Sequence, residues 1–434
     1  MAHIHAFAGI RYAHSLAGDF SKLIAPPYDI LDEQSKQKLQ DKHPNNIVHV
    51  DLPHMPPKTP GPDSAYAASA LTLETWLASG ALAQDPRPCL YPYTQVYQHN
   101  GHTFRRRGVI ALVRLSHFGE GEVVPHEKTF QGAIEDRFKL MSATQMQLSP
   151  IFGLFADPRN EVTSLLYQNL AKPDFSGELD GVTNDLWHIS DPQILNAVTD
   201  LMKQRPIYIA DGHHRYTTAL HYQRAMAHEN GGPLPPEHPA NYCMFVLVGM
   251  QEPGLLILPT HRMLGGLSGF DIPKLKMAFG ATMSIEPSSA TDPVKFAELI
   301  AHAPPHTFGL YDGLSRRYYA LRLANTNVLE DIEPRQSQTW RELDVAILQR
   351  YLIDEVIKPT FCGGIDPSRG YTADPATIPT CVDGGRYQIS ILLQPTPLHA
   401  LEQLGKHNEV MPQKSTYFYP KLATGMVINS LKAP

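Results

Sequence analysis

Cysteine, basic charge and long apolar runs are all scarce in this sequence. Its four cysteines among 434 residues form neither a CxxC pair nor a zinc-knuckle spacing, so we expect reduced thiols and a cytoplasmic location. The first residues, MAHIHAFAGIRYAH, lack the apolar stretch of a secretion signal, and no run of about 18 apolar residues occurs, so we expect no membrane partner. The formal net charge of −6 gives no indication of a nucleic-acid partner.

Two common enzyme motifs are also absent. No GxxxxGK[ST] segment occurs, which excludes a P-loop nucleotide site. The pair His126-Glu127 begins an HExxH pattern, but Phe130 stands where the second histidine of a zinc peptidase would be. The chain does have 42% apolar residues, with 19 Tyr and 16 Phe, which is enough to build more than one hydrophobic core.

Composition and hydrophobic periodicity predict an α+β protein of three domains. Residues 1–115 form an N-terminal α/β region with a hairpin over residues 90–115, where Asn100-Gly101 supplies the tight turn. Residues 116–265 form the core that carries the main motifs. Residues 266–434 form a C-terminal α/β domain, and its last segment is expected to return to the active site.

The segment YIADGHHRYTTAL, residues 208–220, is the richest motif. A short apolar strand stops at Asp211-Gly212 and turns directly into a helix, so backbone N–H groups and the positive end of the helix dipole point at one place. Gly212 permits close approach, His213 and His214 add donors, and Arg215 adds a fork suited to phosphate oxygens. Helix capping by Asp211 with a polar surface around it is the alternative, but capping requires far less than this combination. The motif therefore predicts a phosphate site.

A second motif, VVPHEKTFQGAIEDRFKL, covers residues 123–140. A proline followed by His126 and Glu127 at the end of a strand places an imidazole and a carboxylate on a loop, where catalytic groups are often found. Asp136 and Arg137 follow on a predicted helix. They are either an ion pair that stabilises the fold or additional members of the site, and the sequence leaves both interpretations open.

A third motif, MPQKSTYFYPKLATGM, lies near the C-terminus. Lys414, Ser415 and Thr416 bring one cation and two hydroxyl groups together after a proline, which suits phosphate or carboxylate binding. The aromatic residues that follow are typical of core packing.

Together the motifs resemble a large prokaryotic family, domain of unknown function 1015, over nearly the whole chain. The segments that carry this resemblance are APPYDIL, HPNNIVHVDLP, PHEKTFQGAIEDR, SPIFGLFAD, ADGHHRYTTAL, LPTHRML and MPQKSTYFYPKLATG. The order of PHE, DGHHR and a late Lys-Ser-Thr segment also resembles that of free-serine kinases with a ParB/sulfiredoxin-like fold. That resemblance implies a ParB/sulfiredoxin-like mixed core over residues 116–265, with additional α/β segments at both ends.

The serine-kinase resemblance also implies a role for each matching residue. Glu127 would hold and activate the acceptor hydroxyl, and Asp211 would be a second required carboxylate. The residues that would line the phosphates are Gly212, His213, His214, Arg215, Lys414, Ser415 and Thr416. The spacing differs from the kinases, because 84 residues separate Glu127 from Asp211. An insertion must therefore leave the two loops adjacent.

These observations predict a nucleotide-dependent phosphotransferase that acts on the hydroxyl of a small metabolite, with free serine as the first candidate acceptor. ATP or ADP would be the donor, and Asp211 would either hold Mg²⁺ or orient the acceptor. Two alternatives come from other classes: a ParB-like regulator that binds a nucleotide without catalysis, and a metal-dependent hydrolase with His126, His213 and His214 as ligands. The sequence leaves the donor, the acceptor and the oligomeric state open.

Overall fold

The computed structural model describes residues 3–120, 122–127 and 129–432. It divides the chain into two compact units. The first contains the residues up to Leu256 together with those from Pro420 onward, and the second runs from Ile257 to Tyr419. This division differs from the three domains expected from the sequence, because strands on both sides of residue 115 belong to one sheet.

The strands have the following bounds. In chain order they are β1 Ile4–His5, β2 Ile10–Tyr12, β3 Leu82–Gln84, β4 Tyr91–His99, β5 His102–Arg114, β6 Val123–Val124, β7 Met146–Gln147, β8 Ile151–Phe155, β9 Phe175–Leu179, β10 Val182–Leu186, β11 Ile207–Asp211, β12 Tyr242–Gly249, β13 Leu256–Leu258, β14 His261–Gly265, β15 Met283–Pro287, β16 Thr307–Asp312, β17 Arg317–Leu323, β18 Ser368–Thr372, β19 Ile389–Leu392, β20 Tyr417–Tyr419 and β21 Asn429–Ser430.

The helices are mostly short. In chain order they are α1 Phe20–Leu23, α2 Glu33–Lys42, α3 Val48–Asp51, α4 Asp63–Ala78, α5 Gln131–Thr144, α6 Glu161–Tyr167, α7 Pro192–Met202, α8 His213–Glu229, α9 Ile272–Phe279, α10 Pro293–Ala301, α11 Gln338–Arg341, α12 Asp344–Ala346, α13 Lys358–Phe361, α14 Ile378–Asp383 and α15 Leu398–Lys406. A π-helix, Ile347–Ile357, joins α12 to α13. Among the described residues, no helix combines the length and apolar character needed to cross a membrane.

A nine-stranded mixed sheet forms the centre of the first unit. Its order is β6-β11-β8-β12-β5-β4-β10-β9, and β1 pairs with β5. The pairs β6–β11 and β8–β12 are parallel, whereas the other neighbours are antiparallel. The α+β class expected from the sequence is confirmed, and the finer ParB/sulfiredoxin-like assignment stays a prediction.

The hairpin expected over residues 90–115 is confirmed as β4 and β5. Its turn contains Asn100 and Gly101 at φ values of 48° and 76°, the left-handed region that Asn and Gly tolerate best. Helix α8 packs on this sheet through an apolar stripe, and its Tyr216, Ala219 and Leu220 join the same buried cluster as strand residues such as Phe245. The sheet and α8 together therefore fix the position of the DGHHR segment.

The second unit has its own sheet and core. Six strands pair in the order β15-β17-β16-β19-β14-β18, and all of their pairings are antiparallel. Phe296 and Ile300 of α10 pack against Tyr311 and Tyr318 of the sheet in a separate hydrophobic cluster. A two-stranded pair joins β13 to β20.

The C-terminal segment from Pro420 onward is held inside the first unit. Thr424 forms a backbone bridge with Ala25, and Ile428 forms one with Ile10. Arg106 anchors the start of the segment, because its Nη2 donates to the Pro420 carbonyl oxygen at 2.6 Å and to the side-chain oxygen of Gln95. Burial lowers the pKa of the Arg106 guanidinium to about 10. A buried cation of β5 thus stabilises the last part of the chain.

We therefore expect Arg106→Met to destabilise the first unit by about 2 to 3 kcal/mol, because it leaves two buried oxygens without a charged donor. The free energy of unfolding, measured with a denaturant, checks the value. Hydrogen exchange in residues 420–432 should rise more than elsewhere. The matched control is Arg105→Met, which changes an exposed neighbour on the same strand and should leave both measurements unchanged. Equal effects of the two variants would contradict the anchoring role.

Candidate functional site

The DGHHR segment forms a strand, a tight turn and a helix, as the sequence predicts. Strand β11 ends at Asp211, Gly212 takes φ 99°, and α8 begins at His213. A Cβ at position 212 would lie 3.0 Å from Nη2 of Arg215, in addition to being strained by the positive φ. The positive φ therefore favours glycine here, and a larger residue would also press on the Arg215 guanidinium.

The carboxylate of Asp211 contacts two positively charged side chains. Its Oδ1 accepts a hydrogen bond from Lys421 Nζ at 2.8 Å, and its Oδ2 accepts one from Arg215 Nη2 at 2.9 Å. The three side chains are between 12% and 25% exposed. Burial opposes ionisation of Asp211, but the charges of Lys421 and Arg215 outweigh burial and hold the pKa of this carboxyl below its usual range. Asp211 is therefore ionised and neutralised by protein groups.

Arg215 directs two of its N–H groups to protein acceptors. While Nη2 contacts Asp211, its Nη1 donates to the carbonyl oxygen of Pro150, directly before β8. The same planar donor set that suits phosphate also suits a carboxylate and a carbonyl. These contacts hold α8 against β8, and the expected phosphate contact of Arg215 stays a prediction.

His126 and His213 form a buried pair. The backbone N–H of His126 donates to His213 Nε2 at 3.1 Å, and His126 Nδ1 donates to the carbonyl oxygen of Ile209 at 2.5 Å. The two rings meet edge to face, with their centroids 4.5 Å apart. Burial lowers the pKa of His126, and burial together with His126 lowers the pKa of His213 well below its usual value. Both imidazoles are therefore neutral and fixed in one tautomer.

His214 contacts the far end of the loop that carries His126 and Glu127. Its Nε2 accepts a hydrogen bond from the backbone N–H of Phe130 at 3.0 Å, and its ring stacks on the Phe130 ring at 5.8 Å. Glu127 lies between these two anchored positions and is half-buried. The charges of Glu127, Asp211 and Lys421 all act on the His126 imidazole. The two adjacent histidines of DGHHR therefore hold the PHE loop beside the start of α8, despite the long separation in sequence.

Asp136 and Arg137 form a buried ionic network on α5. Asp136 Oδ1 accepts from His54 Nε2 and from the Tyr66 hydroxyl, each at 2.8 Å, and its Oδ2 accepts from Arg137 Nε at 2.9 Å. Arg137 Nη1 also donates to the backbone carbonyl of Asp51 at 2.6 Å. Of the two interpretations that the sequence left open, this geometry favours the ion pair that stabilises the fold.

Lys414, Ser415 and Thr416 belong to the second unit. Ser415 is buried; its hydroxyl donates to the Pro412 carbonyl, and its own carbonyl accepts from Thr396 Oγ1 at 2.9 Å. Lys414 has a φ of 59°. Their expected phosphate contacts stay a prediction. The late residue that does reach Asp211 is Lys421, in the first unit.

Each oxygen of Asp211 accepts one hydrogen bond from a cationic side chain, and its magnesium contact stays a prediction. His126, His213 and His214, the ligands of the metal-hydrolase alternative, each direct one ring nitrogen to a backbone group. Across residues 3–120, 122–127 and 129–432, no group of three His, Cys, Asp or Glu residues is placed to hold a metal ion.

Sequence reasoning missed Lys421, Asp51 and Ser149. Lys421 lies within the quoted segment MPQKSTYFYPKLATG, but only its first lysine was selected as a site residue. Asp51 and Ser149, which contact each other at 3.1 Å, lie in the segments HPNNIVHVDLP and SPIFGLFAD. Those segments indicated a family, but no local pattern indicated that their polar side chains meet.

Comparison with known proteins places the chain among related sequences. Residues 4–346 match the family described as "Protein of unknown function (DUF1015)". No curated protein matches the sequence significantly.

Several solved structures resemble the chain distantly. A conserved hypothetical protein from Pyrococcus furiosus is 15% identical, with 71% of this chain and 92% of that chain covered and a TM-score of 0.33. Free serine kinase in complex with AMP is 13% identical, with 68% and 83% covered and a TM-score of 0.33. SbnI with C-terminal truncation from Staphylococcus aureus is 12% identical, with 75% and 87% covered and a TM-score of 0.35. TM-scores this low establish neither fold nor function. The sequence match over residues 4–346 does establish a family, and the chain belongs to DUF1015.

Proposed function

We propose that the chain is a nucleotide-dependent phosphotransferase that acts on the hydroxyl of a small metabolite. One observation carries the proposal: the loop with Glu127 is anchored on His213 and His214, at the start of α8 and beside the Asp211–Lys421 pair. This arrangement combines a carboxylate, a cation and a helix N-terminus. Phosphoryl transfer requires mainly these groups, because the protein must neutralise phosphate charge and align an acceptor oxygen.

The phosphate would bind at the N-terminus of α8. The N–H groups in the first turn of a helix have no partner within the helix, and the helix dipole favours an anion there. Lys421 supplies a positive charge next to this turn, since its ammonium lies against Asp211. His213 and His214 would position the loop, in place of the direct phosphate contacts expected from the sequence.

Glu127 would activate the acceptor. Its carboxylate takes the proton of the substrate hydroxyl as the hydroxyl oxygen bonds to the terminal phosphorus, and the bond from that phosphorus to the departing nucleotide breaks. Free serine is the first candidate acceptor, and ATP or ADP is the candidate donor. Both assignments rest on the three short motifs, as does the ParB/sulfiredoxin-like assignment of the core. Lys414, Ser415 and Thr416 remain candidate phosphate contacts on the same basis.

A regulator that binds a nucleotide without catalysis is the second candidate. The same phosphate site would serve it, but Glu127 would have no function there, because a carboxylate near a terminal phosphate weakens binding by repulsion. Two backbone anchors hold the Glu127 loop at this position, and this favours the enzyme. Nucleotide consumption, measured with a panel of small hydroxyl compounds including L-serine, separates the two candidates.

We expect Glu127→Gln to lower the turnover rate by about 10²-fold to 10⁴-fold, as is typical for loss of a general base, while nucleotide binding stays at least as tight. The amide keeps the shape of the side chain and removes its charge. Steady-state kinetics and calorimetric titration with the nucleotide measure the two effects on one protein.

Glu135→Gln is the matched control for this experiment, because Glu135 is an exposed carboxylate on the following helix and its replacement should change neither quantity. Full activity of Glu127→Gln would contradict the catalytic role. Loss of nucleotide binding in that variant would instead make Glu127 a structural residue.

We expect Lys421→Met to lower nucleotide affinity about tenfold or more, since Asp211 would keep only one cation and would repel the phosphates. Lys421→Arg should retain part of the affinity. The exposed residue Lys432, near the end of the same segment, provides a control in Lys432→Met. Calorimetric titration gives the affinities, and circular dichroism verifies folding. Unchanged affinity in a folded Lys421→Met variant would place the phosphate elsewhere.

A further inference from the structure

An open groove of about 560 Å³ lies in the first unit, beside the part of β5 that precedes its pairing with β12. Its walls are formed by Thr103, Phe104, Arg105 and Arg107 of β5, by residues 252–254 and by Tyr167. Small-molecule sites have volumes of about 300 to 1,000 Å³ and combine apolar walls with a few fixed polar groups. The groove has the size and the composition of such a site.

The groove lies at a different end of the sheet from the proposed phosphate site. On β11, Asp211 pairs with Phe152, near the N-terminal end of β8. The turn that walls the groove follows Gly249, which pairs with Phe155 at the C-terminal end of β8. The groove is therefore a separate site.

Arg107 is held in a fixed position in the wall. Its Nε and Nη2 donate to Oε1 and Oε2 of Glu252 at 3.0 and 3.1 Å, and its guanidinium carbon lies 5.9 Å from the centroid of the Tyr167 ring. The Glu252 side chain is only 1% exposed, whereas that of Arg107 is 33% exposed. A guanidinium has five N–H groups, and the two side-chain bonds to Glu252 use fewer than half of them. Arg107 can therefore contact an anion without giving up Glu252.

Arg105 lies beside Arg107 on the same face of β5. Side chains alternate along a strand, so these two arginines project to one side and the buried Arg106 projects to the other. Arg105 is exposed, and it forms no ion pair with any residue that the structure describes. Residues two apart on a strand are separated by about 7 Å, so one anionic group can contact both long side chains.

The turn opposite β5 is fixed by close packing. The Tyr97 hydroxyl donates to the Gly254 carbonyl oxygen at 3.0 Å. A Cβ at position 254 would lie 1.9 Å from the carbonyl oxygen of Arg105, so this approach to β5 requires glycine. The turn therefore holds Glu252 and Pro253 at a set distance from the strand.

The wall carries one net positive charge. Its charged side chains are Arg105, Arg107 and Glu252. One anionic group neutralises this charge, whereas a cation would add to it. Apolar surface in the wall comes from Phe104, Tyr167 and Pro253. Charge and surface together favour an anion with an apolar body.

We propose that this groove binds a small organic anion. The carboxylate or phosphate of the ligand lies between Arg105 and Arg107, and its uncharged body lies against Phe104 and Pro253. Both head groups match the guanidinium fork. This site is additional to the proposed nucleotide site and does not depend on the proposed function.

Four probes test this chemistry by titration calorimetry with the full chain: benzoate, phenyl phosphate, acetate and benzamide. Acetate keeps an anionic group without the aromatic body, and benzamide keeps the body without the charge. We expect the tighter of the two aromatic anions to bind about tenfold or more tightly than acetate and benzamide, because these lose apolar contact or a charged hydrogen bond. That anion identifies the head group. If both aromatic anions bind no more tightly than benzamide, the proposal is wrong.

Arg105→Met tests the second cation of the pair. It should lower the affinity for the tighter anion about tenfold, because one charged hydrogen bond is lost, and it should leave benzamide unaffected. The control is Arg114→Met, which changes an exposed arginine at the other end of β5 and should leave the affinity unchanged. Circular dichroism verifies folding. Unchanged anion affinity in a folded Arg105→Met variant would overturn the proposal.

Arg107→Lys tests the fixed cation. Lysine keeps a positive charge beside the buried Glu252 and removes the planar fork, so the variant should fold and bind the anion more weakly. Anion affinity equal to that of the parent in this variant would also contradict the proposal.

Lys421→Met separates the groove from the proposed phosphate site. It should leave phenyl phosphate binding unchanged. If phenyl phosphate binding is lost in Lys421→Met but kept in Arg105→Met, the anion binds at the start of α8 and the proposal is wrong. If the groove binds the anion as expected but no hydroxyl compound is phosphorylated, only the proposed kinase activity fails.

Discussion

The carboxylate of Asp211 is the interaction on which the site depends. It binds Arg215 within the same turn and Lys421 from a segment 210 residues later in the sequence. Through the second contact of Arg215, with the Pro150 carbonyl, the same group is connected to the start of β8. Without this carboxylate, two half-buried cationic side chains would lose their shared partner, which would destabilise this part of the fold. Asp211 therefore joins three distant parts of the first unit.

The two histidines of DGHHR act as hydrogen-bond acceptors for the PHE loop. Each offers a ring nitrogen as an acceptor to a backbone N–H of the PHE loop, and a protonated imidazole has no such acceptor. Burial, with a contribution from His126, keeps the pKa of His213 well below its usual value, so the contact with His126 persists at neutral pH. An adjacent histidine pair thus positions Glu127 through backbone contacts.

Local chemistry accounts for what could be predicted from the sequence. Asn100-Gly101 predicted a hairpin, and Gly212 predicted a strand that turns directly into a helix, because both depend on the φ preferences of neighbouring residues. Contacts between residues that are distant in the sequence were harder to predict. Lys421 is a single lysine between a proline and a leucine, and no periodicity marks its partner. Arg215 was expected to meet phosphate, but its fork suits a carboxylate and a carbonyl equally well.

This geometry changes how a phosphate would be accommodated. Arg215 directs one N–H to Asp211 and one to the Pro150 carbonyl, and these contacts fix its guanidinium while three of its five N–H groups take no part in them. Lys421 has the same capacity, because an ammonium has three donors and can contact a carboxylate and a phosphate at the same time. Asp211 already offsets much of the nearby positive charge. A phosphate therefore needs hydrogen-bond donors that can contact it without giving up their contact with Asp211. In the proposed site, the first turn of α8, Lys421 and Arg215 can each supply such a donor.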